Sequence, residues 1–337
     1  MTTFCWLHLS DLHLKETTAS PDRARFDRML GSIAETRRRE KLNPDAIFIT
    51  GDLAFSGQPK QYDEAEKYLE KVLDVCDLAA HRDRLLIVPG NHDVDRSRIT
   101  EARHEVIAKA LLDQDRYTEI EDFFRSDLER QMIFAKFANF ARFVESFVSG
   151  TPMSFGPDRF HYVMPIEKEG QKVVVVGLNS AWLSNRNNEQ GRLLLGEAQV
   201  CDALEEVYQM WPDARLRIAL VHHPLYWLAE KDVHRTQQHL ARKCDLLLRG
   251  HLHCPSFSVR ISPDSQLREF AAGASLKAPY QAYNLIQVDL DTGEGVAFVM
   301  LQHPDLGTEW GSDSFTYGNI PDGKVAFSIR RASATSL

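Results

Sequence analysis

Five short stretches of this 337-residue chain concentrate the residue types that bind metal ions: Asp11-Leu12-His13, Gly51-Asp52, Gly90-Asn91-His92-Asp93, His222-His223-Pro224 and Gly250-His251-Leu252-His253. Carboxylate, imidazole and amide oxygen together suit Mn, Fe, Zn or Co better than the all-oxygen cages of Mg or Ca. Asp-x-His and His-x-His share a spacing of two, which in extended backbone turns both side chains to one side. Gly51, Gly90 and Gly250 each precede a candidate ligand, and backbone without a Cβ can turn sharply and approach an ion closely. Each stretch comes at or just after the end of an apolar run. Together they point to one site for two metal ions. Two divalent ions bring about +4 and Asp11 and Asp52 bring -2, leaving about +2, a charge that suits hydroxide and a phosphate ester.

The elements that must position these residues alternate. Strands are predicted at 4–9, 46–49 and 85–88, with helices at 22–40 and 60–76 between them. Phe26, Met29, Leu30 and Ile33 share one helix face, as do Tyr62, Ala65, Tyr68, Leu69 and Val72. This βαβαβ order implies a parallel sheet buried on both faces. In open α/β sheets ligand groups gather at the carboxyl ends of such strands. Further strands are predicted at 160–165, 173–176, 218–221 and 245–248, with helices at about 197–210 and 233–243. From about 255 to 330 short strands follow one another, antiparallel in character, with turn signals such as Ser262-Pro263-Asp264 and Asp291-Thr292-Gly293. Residues 100–150 break the alternation with helical sequence. Its Phe134, Phe137, Phe140, Phe143 and Phe147 recur at three- and four-residue steps, as one helix stripe would, after Phe123 and Phe124. That stripe either packs on the main body or forms a cap or dimer surface. No boundary divides residues 1–337 into independent domains.

The net charge of -8 argues against a broad electrostatic footprint for nucleic acid, though not against a local basic groove. Arg37-Arg38-Arg39 is the densest basic patch and reads as a solvated helix end. Five scattered cysteines with no C-x-x-C suit the reduced thiols of a cytoplasmic protein. The N-terminus lacks a basic region followed by a long apolar stretch, and no run approaches the length of a membrane span.

The ordered motif set resembles the calcineurin-like metallophosphoesterase superfamily, whose pattern is D-x-H, G-D, G-N-H-(D/E), H and G-H-x-H. All five blocks stand without a substitution across residues 11–253, about three-quarters of the chain. The resemblance implies an α/β fold: a four-layer α/β/β/α sandwich of two mixed sheets flanked by helices, here with a helical insertion around 100–150. The C-terminal strands would supply much of the second sheet. It also implies that Asp11, His13 and His253 bind one metal and Asn91, His222 and His251 the other. Asp52 would bridge them, one oxygen to each ion. His92 would lie near the leaving-group oxygen, as acid or as transition-state stabiliser. Asp93 would orient His92 by accepting its second ring N–H, or cap the following helix. The cofactors implied are two divalent ions, with Mn, Fe and Zn all suited.

Other residues carry two readings each. His8 reads as a hydrogen-bonded strand residue. His223 is a substrate contact or a structural neighbour of Pro224. Asn179 and Ser180 line the site or form a turn. Arg96, Arg98 and Arg103, like Arg192, His234 and His239, bind a phosphate or face solvent. The motif pattern is similar to the class III cyclic-nucleotide phosphodiesterase branch, so the leading expectation is a phosphodiesterase acting on a phosphate ester such as a cyclic nucleotide. The alternatives are a DNA or RNA nuclease, a phosphomonoesterase and a metal-bearing scaffold. Selectivity would lie in residues 94–150 and in the loop after Asn179.

Overall fold

The computed structural model describes all residues except 18, 114–117, 186–187, 277–280, 303–308, 314–319, 321 and 330–337. β1 (Thr3–Leu9), β2 (Ala46–Thr50) and β3 (Leu85–Val88) lie side by side in parallel, joined through α1 (Ser20–Glu40) and α2 (Pro59–Val75). Every residue of β2 and β3 is buried, as uninterrupted apolar strands covered on both faces must be. α1 turns Phe26, Met29 and Ile33 inward, and α2 turns Tyr62, Ala65, Tyr68, Leu69 and Val72 inward.

The helical segment comprises α3 (Glu101–Leu112), α4 (Thr118–Arg125), α5 (Asp127–Phe134) and α6 (Ala138–Phe147). The phenylalanine stripe expected of one helix is split. A 3₁₀ turn at Ala135–Phe137 separates α5 from α6, and its tighter winding rotates the face presented on either side. Phe123, Phe124, Phe134 and Phe137 pack with Trp182 and Leu194, whereas Phe140, Phe143 and Phe147 join the main core beside Tyr62. Lys136 anchors the turn. It is fully buried and donates to the Ser184 carbonyl at 2.7 Å, and burial pushes its pKa down to about 7 against the pull of Glu189. All seven phenylalanines are buried within the chain.

After this segment come β4 (His161–Lys168), β5 (Gln171–Leu178), α7 (Glu197–Met210), β6 (Leu216–Leu220), α8 (Glu230–Lys243) and β7 (Leu246–Arg249). The chain continues with β8 (Ser256–Ser262), β9 (Ser265–Ala271), β10 (Gln281–Asp289), β11 (Glu294–Gln302), β12 (Gly311–Ser312) and β13 (Lys324–Ser328). One mixed sheet runs β12-β11-β10-β1-β2-β3, with β13 also on β11. The other runs β4-β5-β6-β7-β9-β8.

The alternation in β5 shows how the layers stack. Val173 and Val175 face the first sheet, while Val174 and Val176 face α7 and α8. With α1 and α2 outside the first sheet, this makes four layers, α/β/β/α. The C-terminal strands differ from expectation. Only β8 and β9 enter the second sheet, and β9 is parallel to β7. β10 to β13 extend the first sheet, because β10 pairs antiparallel with the edge of β1 that β2 leaves open, Thr3 opposite Asp289. β10 is buried at seven of its nine positions, the pattern of a central strand.

Candidate dinuclear metal centre

β1, β2, β3, β6 and β7 end on the same rim, and each motif stretch begins within two residues of its strand. The loops there are not extended. Asp11, His13, Asp52, His251 and His253 all have φ between 49° and 74°, five of the eight non-glycine residues with positive φ among those described. Such conformations cost roughly 1–3 kcal/mol each and gather at functional sites. The shared spacing of two therefore works through left-handed residues flanking Leu12 and Leu252, not through strand alternation. Hydrogen bonds hold the strained loops: Asp11 N–H to the Gly51 carbonyl (3.1 Å), His13 N–H to the Asp52 carbonyl (2.9 Å) and His251 N–H to Asp11 Oδ2 (3.0 Å). Two glycines admit the close approach. A Cβ on Gly90 would stand 2.2 Å from Asp52 Oδ1, and one on Gly250 would stand 1.7 Å from Ser10 Oγ.

The seven expected ligands converge as two triads. In the first, His13 Nε2 lies 3.2 Å from His253 Nε2, and Asp11 Oδ1 lies 3.7 and 3.3 Å from those two nitrogens. In the second, Asn91 Oδ1 is 3.1 Å from both His222 Nε2 and His251 Nδ1, which are 3.2 Å apart. Asp52 Oδ2 reaches both triads, 3.8 Å from His13 Nε2 and 3.3 Å from His222 Nε2. Its Oδ1 is taken by the His92 backbone N–H at 2.7 Å. One oxygen therefore faces both triads, rather than one oxygen serving each.

These residues fit divalent ions. Asp11 Oδ1 is buried with no hydrogen-bond partner, an arrangement that costs free energy unless a ligand completes it. The His13–His253 and His222–His251 nitrogen pairs, each 3.2 Å apart, likewise lie close enough to share an ion. Asp11, His13 and His253 form one group able to hold an ion, and Asp52 shares further groups with Asp11, His13, His92 and His222. His222 Nδ1 meets the Thr50 carbonyl at 2.7 Å, which fixes the tautomer that leaves Nε2 toward Asn91.

The charges are coupled. Burial would raise the Asp52 carboxyl, but His222 and His13 hold it down at about 2. Burial likewise works against Asp11, yet the His13 and His253 rings beside it hold its carboxyl well below the usual range. Burial opposes charge on His222 too, yet Asp52 outweighs it and lifts the ring to about 9. His251 is pushed down to about 3 by burial and by the His222 charge. His222 thus carries a proton at neutral pH in the metal-free protein, and a metal must displace it. Loading is expected to release about one proton per chain, with affinity rising as pH climbs toward about 9. Calorimetry in buffers of different ionisation enthalpy measures the release, and loading without it would remove His222 from the ligand set.

Residues around the triads depart from expectation in several places. Asp93 does not touch the His92 ring, which presents Nδ1 to the Phe55 carbonyl at 2.7 Å. The buried Asp93 carboxyl instead accepts from the N–H groups of Leu53, Ala54 and Gly90 and from the Tyr62 hydroxyl. Burial and Asp52 push it up to about 6. It braces the loop after β2 and caps no helix, since Asp95 caps the next turn, Arg96–Arg98. His223 is 1% exposed and placed by Ser180, whose Oγ lies 3.0 Å from its Nδ1 and accepts the N–H of both His222 and His223. Asn179 is fully buried and its Oδ1 closes a turn onto Ala181 N–H. Arg96 is exposed on the 3₁₀ turn. Arg98 pairs with Asp95, Arg192 with Glu105 and His239 with Glu197, while Arg103 and His234 are exposed. His8 is buried on β1 against Thr50 Oγ1 at 3.0 Å, a strand residue as expected.

Sequence reasoning passed over Thr50, Phe55 and Trp227, whose ring lies 4.2 Å from that of His251. The first two act through backbone carbonyls, which leave no side-chain signal. A larger cavity of about 700 Å³ lies at the opposite rim, around Arg217 and Asp245 at the starts of β6 and β7, away from every motif residue.

Comparison with known proteins agrees with this geometry. Residues 6–255 match the calcineurin-like phosphoesterase family. The chain is 24% identical over 331 residues to the uncharacterized metallophosphoesterase-like protein YydB of Bacillus subtilis, covering 97% of this chain and 65% of that protein. A cAMP/cGMP dual specificity phosphodiesterase of Mycobacterium tuberculosis is 37% identical over 98 residues, 28% of each chain. The chain thus spans less than two-thirds of the length of either relative. Among solved structures, the purple acid phosphatase PPD1 of yellow lupin superposes with a TM-score of 0.49 at 11% identity, over 88% of this chain and 51% of that one. All five cysteines are free thiols, and no helix among the described residues is long and apolar enough to cross a membrane.

Proposed function

The chain belongs to the calcineurin-like phosphoesterase family, and from that premise we propose that it is a metal-dependent phosphodiesterase whose reaction takes place at the two triads. The observation that carries the reading is Asp52 Oδ2, held between Asp11, His13 and His253 on one side and Asn91, His222 and His251 on the other. Two divalent ions bound there would supply an activated water and offset the charge of the phosphoryl oxygens. Mn, Fe and Zn all suit this donor set.

The chain's own groups do the remaining work. The Thr50 carbonyl orients His222 of the second triad. Phe55 holds the Nδ1 side of the His92 ring, which leaves Nε2 for a proton passing to the departing oxygen. The buried Asp93 carboxyl keeps the loops after β2 and β3 together. The mycobacterial relative's description supports a cyclic nucleotide as substrate, and the net charge of -8 weighs against a nuclease.

A substrate panel on the Mn-loaded protein tests the reading: bis(4-nitrophenyl) phosphate, 4-nitrophenyl phosphate, 3′,5′-cyclic AMP and single-stranded DNA. Diester hydrolysis should exceed monoester hydrolysis, vanish with a chelator and return with Mn. A clear preference for the monoester or for DNA would overturn it.

A further inference from the structure

Arg249, the last residue of β7, belongs to neither triad yet stands next to both in the chain. It is only 5% exposed, and a cation buried that far needs a partner. The partner is Glu269 on β9, 7% exposed, whose Oε1 lies 2.5 Å from Arg249 Nε. The backbone ladder already joins β7 to β9, with Arg249 opposite Ala271. The ion pair is therefore not what sets the register of these strands.

The remaining donors of Arg249 reach past the end of β7. Nη1 lies 3.2 Å from the Gly250 carbonyl, and Nη2 lies 3.2 Å from Ser256 Oγ. Gly250 and Ser256 are the two ends of the loop that carries His251 and His253. The Gly250 carbonyl also accepts the Leu252 N–H at 3.0 Å, which closes a tight turn around His251. A guanidinium is planar, and its donors are fixed relative to one another. Once Glu269 holds that plane, the two ends of the loop are held as well.

This loop needs such a hold. His251 and His253 have φ of 74° and 59°, and strained backbone persists only where its surroundings over-determine it. Asp11 Oδ2 ties the loop to the first sheet through the His251 N–H at 3.0 Å. Arg249 ties it to the second. The stakes are high because one loop supplies a ligand to each triad.

We propose that Arg249 is a positioning residue for both triads. Anchored by Glu269, it clamps the loop after β7 so that His253 meets Asp11 and His13 while His251 meets Asn91 and His222. The proposal rests on the two-metal reading for its effect on ions, but not for its effect on the loop.

The test compares wild type, Arg249→Lys, Ser256→Ala and the double variant Arg249→Met/Glu269→Leu. The double variant replaces a buried ion pair with apolar side chains, a change often neutral for a fold. Calorimetry measures Mn affinity, and amide hydrogen exchange is followed by mass spectrometry on the metal-free proteins. The double variant and Arg249→Lys should bind Mn about 10–100-fold more weakly, as when other supports of metal ligands are lost. Exchange should quicken in residues 250–256 and stay unchanged in β7 and β9. Lysine keeps the charge but cannot span both ends of the loop. Ser256→Ala keeps the ion pair and frees one end, so its loss should be smaller. Wild-type Mn affinity in the double variant would overturn the clamp. Exchange that quickens equally in β7 and β9 would make the pair a brace of the sheet and overturn it too. If the double variant does not fold, Arg249→Lys and Ser256→Ala decide by the same two readouts. If wild type binds no Mn, the two-metal reading fails, while loop exchange in the metal-free proteins still decides this one.

Discussion

Asp52→Asn is expected to lower the turnover of the Mn-loaded protein on the order of 10³-fold, several kcal/mol of lost transition-state stabilisation. The substitution keeps the volume and the Oδ1 contact to His92 N–H, so the loops should stay in place. What changes is Oδ2. An amide nitrogen there would point hydrogens at His222 Nε2 and His13 Nε2, and the negative charge shared by both triads would be gone. The charge that lifts His222 to about 9 would go with it. Bound metal should fall from two ions toward one or none, as measured by elemental analysis after dialysis. A variant that keeps two ions and turns over at the wild-type rate would remove Asp52 from the bridging position.

His92→Ala is expected to cost about 10²–10⁴-fold in kcat, the usual contribution of a positioned proton donor or acceptor, while two ions remain bound. The variant keeps the backbone N–H that orients Asp52 and loses only the ring. The pH dependence gives the sign. Burial lowers the His92 pKa below its ordinary value, with Asp52 acting in the opposite direction. A ring acting as an acid must be protonated, so its advantage is present at low pH and lost as pH rises through that lowered pKa. The ratio of wild-type to variant rates should therefore shrink between mildly acidic and neutral pH. A ratio that grows with pH would assign the ring a proton-accepting role, and a loss under about threefold would make it a bystander.

Much of the site was legible because metal ligation selects residue types, and types are what a sequence displays. Asp11, His13, Asp52, Asn91, His222, His251 and His253 could be collected before any coordinates, since donor side chains at the ends of apolar runs marked the stretches and the family resemblance picked these seven from them. Their supports could not be. Thr50 orients His222 with a backbone carbonyl and Phe55 holds His92 with another, and a carbonyl is common to every residue. Asp93 sat next to His92 in sequence and looked like its partner. Neighbouring side chains diverge, however, and the Asp93 carboxyl turned inward to three backbone N–H groups. His223 and Asn179 were offered to a substrate by their position at strand ends, and the structure buries both.

The sequence alone determined the alternating α/β order and the five donor-bearing stretches, because apolar periodicity and ligand chemistry are local properties, while the four-layer class and the seven ligands came from the family resemblance those stretches carry. Tertiary structure decided what depends on long-range pairing. It placed β10 against β1, so that most of the C-terminal strands joined the first sheet. It broke the phenylalanine stripe at a 3₁₀ turn fixed by Lys136, 48 residues from its partner Ser184. It also bent Asp11, His13, His251 and His253 into left-handed backbone, which hydrogen bonds between separate loops sustain. The close spacing of two pairs of ligands was visible in the chain. That one oxygen of Asp52 faces both triads follows from the His92 N–H and the Gly90 backbone packed against the other.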